Sequence, residues 1–259
     1  MQIESLILLK AWFDTYAQGF LTGCSASDSP LTLKIEHTAR VRDNIRQLAL
    51  SIGLKAEAVH LAEAVALFHD VGRFEQYRHY HTFNDQKSVN HAIMGIDVLN
   101  HAGVLASLPD DERKIMIDAI RFHNAPTLAE GNPSASHLFM RLIRDADKLD
   151  IWKVFADHYR RKSPPNATIV QHLVDLPTWE PKIVDAIMQN RTARLKDMKS
   201  LNDFKLLKLS WVFGLHFSAT AVLARKRGDL EAISRTLPAD KIVQQAVSAA
   251  MDHLAKAVS

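Results

Sequence analysis

The sequence has few of the residues that cross-link or interrupt a chain. Its 259 residues include one cysteine, Cys24, so no disulfide can form within the chain. A secreted fold held together by disulfides is therefore excluded, and a reducing compartment is expected. Nine glycines and nine prolines give the chain few breaks for its length, which favours long regular elements over a loop-rich fold.

The sequence also lacks an excess of one charge and lacks a long apolar run. Lysine and arginine number 32 against 29 aspartates and glutamates, a balance of +3, which does not indicate a nucleic-acid partner. No apolar run is long enough to cross a membrane. The apolar N-terminal stretch is interrupted by Lys10 and Asp14, so it predicts an amphipathic helix rather than a signal peptide. A cytoplasmic protein without membrane or specific nucleic-acid partners is expected.

Apolar residues recur at helical spacing along the whole chain, and no run alternates as a strand would. The pattern predicts an all-α protein with helices near 2–20, 33–52, 56–69, 87–102, 110–123, 136–159, 180–196, 202–227 and 239–257. Long linkers and internal repeats are absent from the sequence. The expected architecture is one compact helical bundle over residues 1–259, with the helices of 160–259 packed on it as a C-terminal extension.

Some polar side chains interrupt the apolar faces of these predicted helices. Positions three, four and seven apart share one face of a helix, and Asp147 falls in register with Met140, Ile143, Ile151 and Val154. A lone carboxylate at such a position would be buried and charged. That arrangement costs several kcal/mol unless the carboxylate is paired or binds a metal.

Histidines occupy the same kind of position on four other predicted helices. These residues are His37, His69, His91 and His123, and Asp70 follows His69 directly. Each histidine alone is more simply explained as a core residue satisfied by a hydrogen bond. Together they require one core to satisfy several imidazoles and carboxylates. A divalent ion such as manganese, iron, zinc, cobalt or nickel does this directly.

Three short motifs give these residues a family context. The runs EHTARV, ALFHDVGRF and RDADKLD resemble the HD-domain superfamily of metal-dependent phosphohydrolases, over a core of about residues 30–155. The resemblance implies an all-α bundle of the HD-domain type and a divalent metal (Mn, Fe, Co, Ni, Mg or Zn). It implies that His37, His69, Asp70 and Asp147 bind this metal, with Asp70 also counted as catalytic.

The resemblance leaves two assignments to be decided, namely which aspartate is the distal ligand and what His91 and His123 bind. The family's distal aspartate usually precedes a basic residue and leucine, which selects Asp147 over Asp145, as the helical stripe does independently. In some members two further histidines hold a second metal that the doublet aspartate bridges. His91 and His123 stand in the right order for that, or they bind substrate phosphate in a one-metal site. The one-metal site, the family default, is slightly favoured.

The resemblance implies hydrolysis of a small phosphate ester, with nucleotides among the candidate substrates. Phosphate requires positive partners, and Arg73 and Lys148 are the predicted catalytic and substrate-binding cations, although both also fit plain surface charge. The segment 73–88 shows no helical stripe and is predicted as a loop over the site, with Tyr77 as a substrate contact. Arg73 stands where one nucleotidase branch carries a glutamate, so the substrates of that branch are not supported.

Other functions remain open on the same residues. The six-residue set is that of a minority of HD-like di-iron oxygenases, and a metal-dependent lyase or hydratase would use the same scaffold. A non-enzymatic module that binds a nucleotide without turnover is the fourth alternative. Residues 160–259 carry no catalytic pattern, and they are expected to shape the pocket or to form a homodimer interface.

Overall fold

The computed structural model describes residues 1–128, 135–161, 167–170 and 173–257. All of the regular secondary structure in these ranges is helical. No strand occurs in the described ranges, which confirms the all-α prediction. Within the same ranges, no helix is both long enough and apolar enough to cross a bilayer. The chain divides into two compact units, residues 1–147 and 148–259. The single-domain organisation and the packing of 160–259 on the core stay predictions.

The first unit is built on a central apolar helix. Its helices are α1 (Ile3–Gln18), α2 (Ser25–Ser51), α3 (Ala56–Phe68), α4 (Gly72–Tyr80), α5 (His91–Ala102) and α6 (Asp110–Phe122), and α7 (Ala135–Arg160) runs across the boundary between the units. Helix α3 packs against α1, α2 and α6. It is apolar on nearly all sides, as a helix enclosed by others must be, and Ala62, Val65 and Ala66 are fully buried.

The prediction that 73–88 is a loop is wrong in its first half. Residues Gly72–Tyr80 form α4, and a 3-10 turn follows at Asp85–Lys87. The helix buries Phe74 against aromatic rings of α1, with the Phe13 ring centroid 5.9 Å away. Its other buried side chain is the polar Gln76. The buried face of α4 therefore lacks the apolar spacing by which a helix is predicted from sequence.

Helices α4 and α5 approach each other closely at a pair of glycines. A Cβ atom on Gly72 would lie 2.5 Å from the backbone nitrogen of Gly95 and would also collide with the carbonyl oxygen of His91. The missing side chain therefore allows backbone-to-backbone packing. This approach fixes the start of α5 beside the residues that follow α3.

The second unit contains shorter helices than the sequence predicts. They are α8 (Ala167–Val170), α9 (Pro181–Met188), α10 (Leu201–Ser210), α11 (Ser218–Arg227), α12 (Asp229–Ser234) and α13 (Lys241–Lys256). The single helix predicted over 202–227 is wrong, because a 3-10 turn at Trp211–Gly214 and extended backbone at Leu215 and Phe217 interrupt it. The helix predicted over 180–196 ends at Met188, since Asn190 adopts the left-handed conformation that terminates helices.

Candidate metal centre

Six side chains from five helices or their ends meet inside the first unit. His37 lies on α2, His69 and Asp70 follow α3, His91 opens α5, His123 follows α6, and Asp147 lies on α7. The four histidines and Asp70 are buried, none more than 6 % exposed. The Asp147 side chain keeps 22 % of its surface accessible. These are the six residues that the sequence predicts as metal ligands.

One half of the cluster surrounds the Oδ2 atom of Asp70. This oxygen lies 3.6 Å from Nε2 of His37 and 3.7 Å from Nε2 of His69. The two nitrogens are 3.2 Å apart. Asp147 adds its Oδ1 atom at 3.2 Å from His37 Nε2 and 3.9 Å from His69 Nε2. Two imidazoles and two carboxylates therefore point their donor atoms at one small volume.

The other half surrounds the Oδ1 atom of the same Asp70 side chain. This oxygen lies 3.2 Å from Nε2 of His91 and 3.9 Å from Nε2 of His123. Those two nitrogens are 3.0 Å apart. Asp70 thus presents one oxygen to each pair of histidines, and the donor atoms group as His37–His69–Asp70 and Asp70–His91–His123.

Hydrogen bonds on the far side of three imidazoles fix where their protons lie. The Nδ1 atoms of His69 and His123 are 2.7 Å from the carbonyl oxygens of Ala66 and Ile120. The Nδ1 atom of His91 is 2.7 Å from Oδ2 of Asp85. Carbonyl and carboxylate oxygens only accept, so each Nδ1 carries the hydrogen, and each Nε2 of a neutral ring carries a lone pair.

The charge states in the cluster match those of metal ligands. Burial lowers the pKa of His69, and burial with the nearby His91 and His69 lowers the pKa of His123 to about 3. Burial opposes ionisation of Asp70, but Lys34 and Arg73 hold its pKa well below the usual value. Neutral imidazoles and ionised carboxylates are the forms that bind metals.

These observations test whether the residues fit a divalent cation. The inward Nε2 atoms of the neutral His69 and His123 rings carry lone pairs, and they lie 3.7 and 3.9 Å from the negatively charged oxygens of Asp70. Such an arrangement is repulsive unless positive charge lies between the donors. The nitrogen and oxygen donor set suits manganese, iron, cobalt, nickel or zinc. The six side chains therefore fit a divalent cation.

Asp85 supports the His91 side of the cluster. Its Oδ2 atom accepts hydrogen bonds from His91 and, at 3.2 Å, from the Asn124 amide. Its Oδ1 atom accepts from Arg73 at 2.7 Å and from Gln76 at 2.9 Å. The sequence placed Asp85 in a predicted substrate loop and did not predict roles for Gln76 or Asn124. All three orient the residues around the cluster.

Arg144 fixes the turn that carries His123. Its Nη1 atom donates to the carbonyl oxygens of Phe122 and His123 at 3.3 and 3.0 Å, and also to that of Ala125. These carbonyls lie at the end of α6, where no further helical N–H is present to bind them. The arginine therefore closes the helix end and holds His123 in place.

The three predicted substrate-binding residues have different surroundings. The Arg73 guanidinium bonds to Asp70 through Nε at 3.3 Å and to the carbonyl of Phe83 through Nη1 at 2.6 Å, in addition to Asp85 and Gln76. Tyr77 packs on Phe83 with ring centroids 5.0 Å apart. Lys148 belongs to the second unit, where its ammonium donates to the carbonyl of Gly214 at 2.7 Å. Their roles toward a substrate stay predictions.

Sequence reasoning also missed Lys34, whose ammonium contacts the cluster. Lys34 lies on α2 one turn before His37, and its Nζ atom is 2.6 Å from Oδ2 of Asp70. The helical spacing of three residues between Lys34 and His37 was the available signal. The predicted helix 33–52 already contained both residues, although the helix itself begins at Ser25, so only the contact with Asp70 required the structure.

Comparison with known families agrees with this geometry. The family model for the HD domain matches residues 35–152, a range that contains all six clustered residues. These residues form an HD domain. This domain is characteristic of a superfamily of metal-dependent hydrolases. No curated protein and no solved structure matches the chain.

Proposed function

We propose that this HD domain is a two-metal phosphohydrolase that cleaves a small phosphate ester. The observation that carries the proposal is the Asp70 carboxylate, whose two oxygens each face a separate pair of histidine nitrogens. In the reaction, water attacks phosphorus, the bond from phosphorus to the ester oxygen breaks, and the alcohol leaves with a proton. The products are the alcohol and inorganic phosphate.

The geometry supports a division of the six proposed ligands between two ions. His37, His69 and Asp147 would hold one ion, His91 and His123 the other, and Asp70 would bridge them. The sequence slightly favours one metal, with His91 and His123 on phosphate, but the 3.2 Å between His91 Nε2 and Asp70 Oδ1 favours ligation. When bound, divalent ions polarise a phosphoryl oxygen and lower the pKa of water.

Neighbouring side chains and backbone carbonyls orient the proposed ligands before a metal ion or substrate binds. Asp85 and the carbonyls of Ala66 and Ile120 keep the hydrogen on Nδ1, so that Nε2 stays available. Arg73 joins Asp70 to the segment that carries Asp85. Ligand orientation therefore depends on hydrogen bonds made before a substrate arrives, which limits the reorganisation needed for reaction.

The test starts with elemental analysis of protein purified without chelators. The chain is then assayed on p-nitrophenyl phosphate and on nucleoside monophosphates with added manganese, cobalt, nickel or magnesium. We expect two metal ions per chain and release of phosphate, both reduced in His91→Gln. His101→Gln is the matched control, because His101 lies on the same helix and is exposed. Wild-type protein that binds no metal refutes the proposal.

A di-iron oxygenase is a second candidate on the same observation. Four imidazoles, a bridging carboxylate and a terminal carboxylate are also a donor set suited to two irons. Two irons per purified chain, oxygen consumption with a reductant present, and no phosphate release from any ester would favour it. Phosphate release with manganese or magnesium under anaerobic conditions would exclude it as the main activity.

A further inference from the structure

Lys34 is the one lysine whose ammonium contacts the candidate ligands in the described part of the first unit. Its Nζ atom lies 2.6 Å from Asp70 Oδ2, and its side chain is 17 % exposed, against 5 % for Asp70. The Lys34 side chain is therefore more exposed than the carboxylate that it contacts.

The ammonium contacts the oxygen of Asp70 that also faces His37 and His69 at 3.6 and 3.7 Å. A divalent cation held by that half would share this oxygen with Lys34. Two positive charges a few ångströms apart repel strongly where water is scarce. Lys34 thus offsets the charge of Asp70, and a cation bound at this oxygen would repel the Lys34 ammonium.

Lys34 is held much less firmly than the other nearby cation. Arg73 is tied to Asp70, Asp85 and the carbonyl of Phe83. The Lys34 ammonium has the salt bridge to Asp70 and a position 5.3 Å from the Phe83 ring centroid. An ammonium has three N–H donors on a flexible stem. When the charge of Asp70 is shared with a metal, this ammonium can turn toward an anion.

We propose that Lys34 is the phosphoryl-binding residue of this site, an ammonium that neutralises Asp70 until divalent cations bind and then contacts a substrate phosphoryl oxygen. The inference rests on the proposed function, because it requires the metal centre. The proposal predicts that Lys34 has opposite effects on the affinities for the divalent cation and for the anion. Lys34 weakens cation binding to the empty site and strengthens anion binding to the loaded site.

The test compares Lys34→Met with wild type in three binding and stability measurements. Titration calorimetry on chelator-stripped protein gives the manganese affinity, titration of manganese-loaded protein with inorganic phosphate gives the anion affinity, and thermal unfolding of metal-free protein gives Tm. In Lys34→Met we expect manganese to bind about tenfold tighter and phosphate about tenfold weaker. Metal-free Tm should fall by about 3 °C or more, because Asp70 loses a partner.

Matched variants separate this role from a general loss of charge or structure. Lys114→Met removes an exposed lysine whose Nζ atom also lies 2.6 Å from a carboxylate, that of Asp118, and it should change none of the three values. Lys34→Arg should restore phosphate binding. Lys34→Gln is a second uncharged variant in case Lys34→Met does not fold.

Phosphate affinity decides the result. If loaded Lys34→Met and Lys34→Gln bind phosphate as wild type does, Lys34 is only a structural ion pair and the proposal is overturned. If wild-type protein binds no manganese, the metal centre and this inference both fail. If wild type binds manganese and phosphate with the expected Lys34 dependence but cleaves no ester, the hydrolase assignment fails and the anion site stands.

Discussion

Substitution of Asp85 by asparagine removes the negative charge beside His91, while the side chain at position 85 keeps nearly the same size. In the structure Asp85 Oδ2 accepts the His91 Nδ1 hydrogen at 2.7 Å. An asparagine either presents its neutral oxygen, which accepts more weakly, or its amino group, which forces the Nδ1 atom to accept. In the second case the hydrogen moves to Nε2, and His91 can no longer bind a cation through that atom.

Asp85 acts on metal binding through His91, a proposed ligand, and this sets the expected size of the change in metal affinity. Loss of such a hydrogen-bond partner typically lowers metal affinity about 10- to 100-fold, which corresponds to about 1.4–2.7 kcal/mol. Asp85 contacts Nδ1 of His91, whereas the other ring nitrogen, Nε2, faces Asp70 and His123. The loss should therefore fall on the ion held by His91 and His123, and the other ion should be retained.

The measurement is elemental analysis after dialysis against a weak chelator, together with competition titration of manganese. We expect two ions per chain in wild type and one in Asp85→Asn. Asp97→Asn is the control, because Asp97 is an exposed residue on α5, the helix that begins at His91. If Asp85→Asn keeps two ions with wild-type affinities, the inference that Asp85 sets the state of His91 is refuted.

Three further predictions concern the ligands, the glycine pair and metal removal. Asp70→Ala should lose both ions and ester hydrolysis while circular dichroism stays helical; unchanged metal content would remove Asp70 from the centre. Gly72→Ala should cost about 2–3 kcal/mol, a Tm decrease of about 4–12 °C, because the new Cβ meets backbone of α5. Gly19→Ala, where the nearest atom is 3.3 Å away, should lower Tm much less than Gly72→Ala in the same melting experiment. Chelator added to protein loaded at 100 times Kd should lower stability by about 2.7 kcal/mol, and an unchanged Tm would contradict metal binding to the folded state.

The helical periodicity predicts much of the site because a side chain's direction on a helix depends on the local backbone alone. Asp147, in register with Met140 and Ile143, lies beside His37 as its stripe indicates. His123 follows Met116 and Ile120, both fully buried, and it points into the same core. Position on a face was enough to select these residues before any contact between helices was known.

The same rule fails where tertiary partners satisfy a polar residue in the core. Gln76 is fully buried on α4, and its amide bonds to Asp85, Ser88 and the carbonyl of Val89. Those partners lie 9 to 13 residues further along the chain. An apolar pattern cannot register a buried glutamine, so the segment was predicted as a loop instead of a helix.

Residue identity and local spacing were enough to predict the helical class, the six candidate ligands and the resemblance to the HD domain, because none of these depends on distances between helices. Only the packed helices show that Asp70 gives one oxygen to each histidine pair, and that Lys34 is its counter-ion from 36 residues away. These facts depend on how α2, α3, α5 and α6 are placed around one carboxylate. Distances between helices are set by packing over the whole unit, including the close approach at Gly72, and no local pattern encodes them.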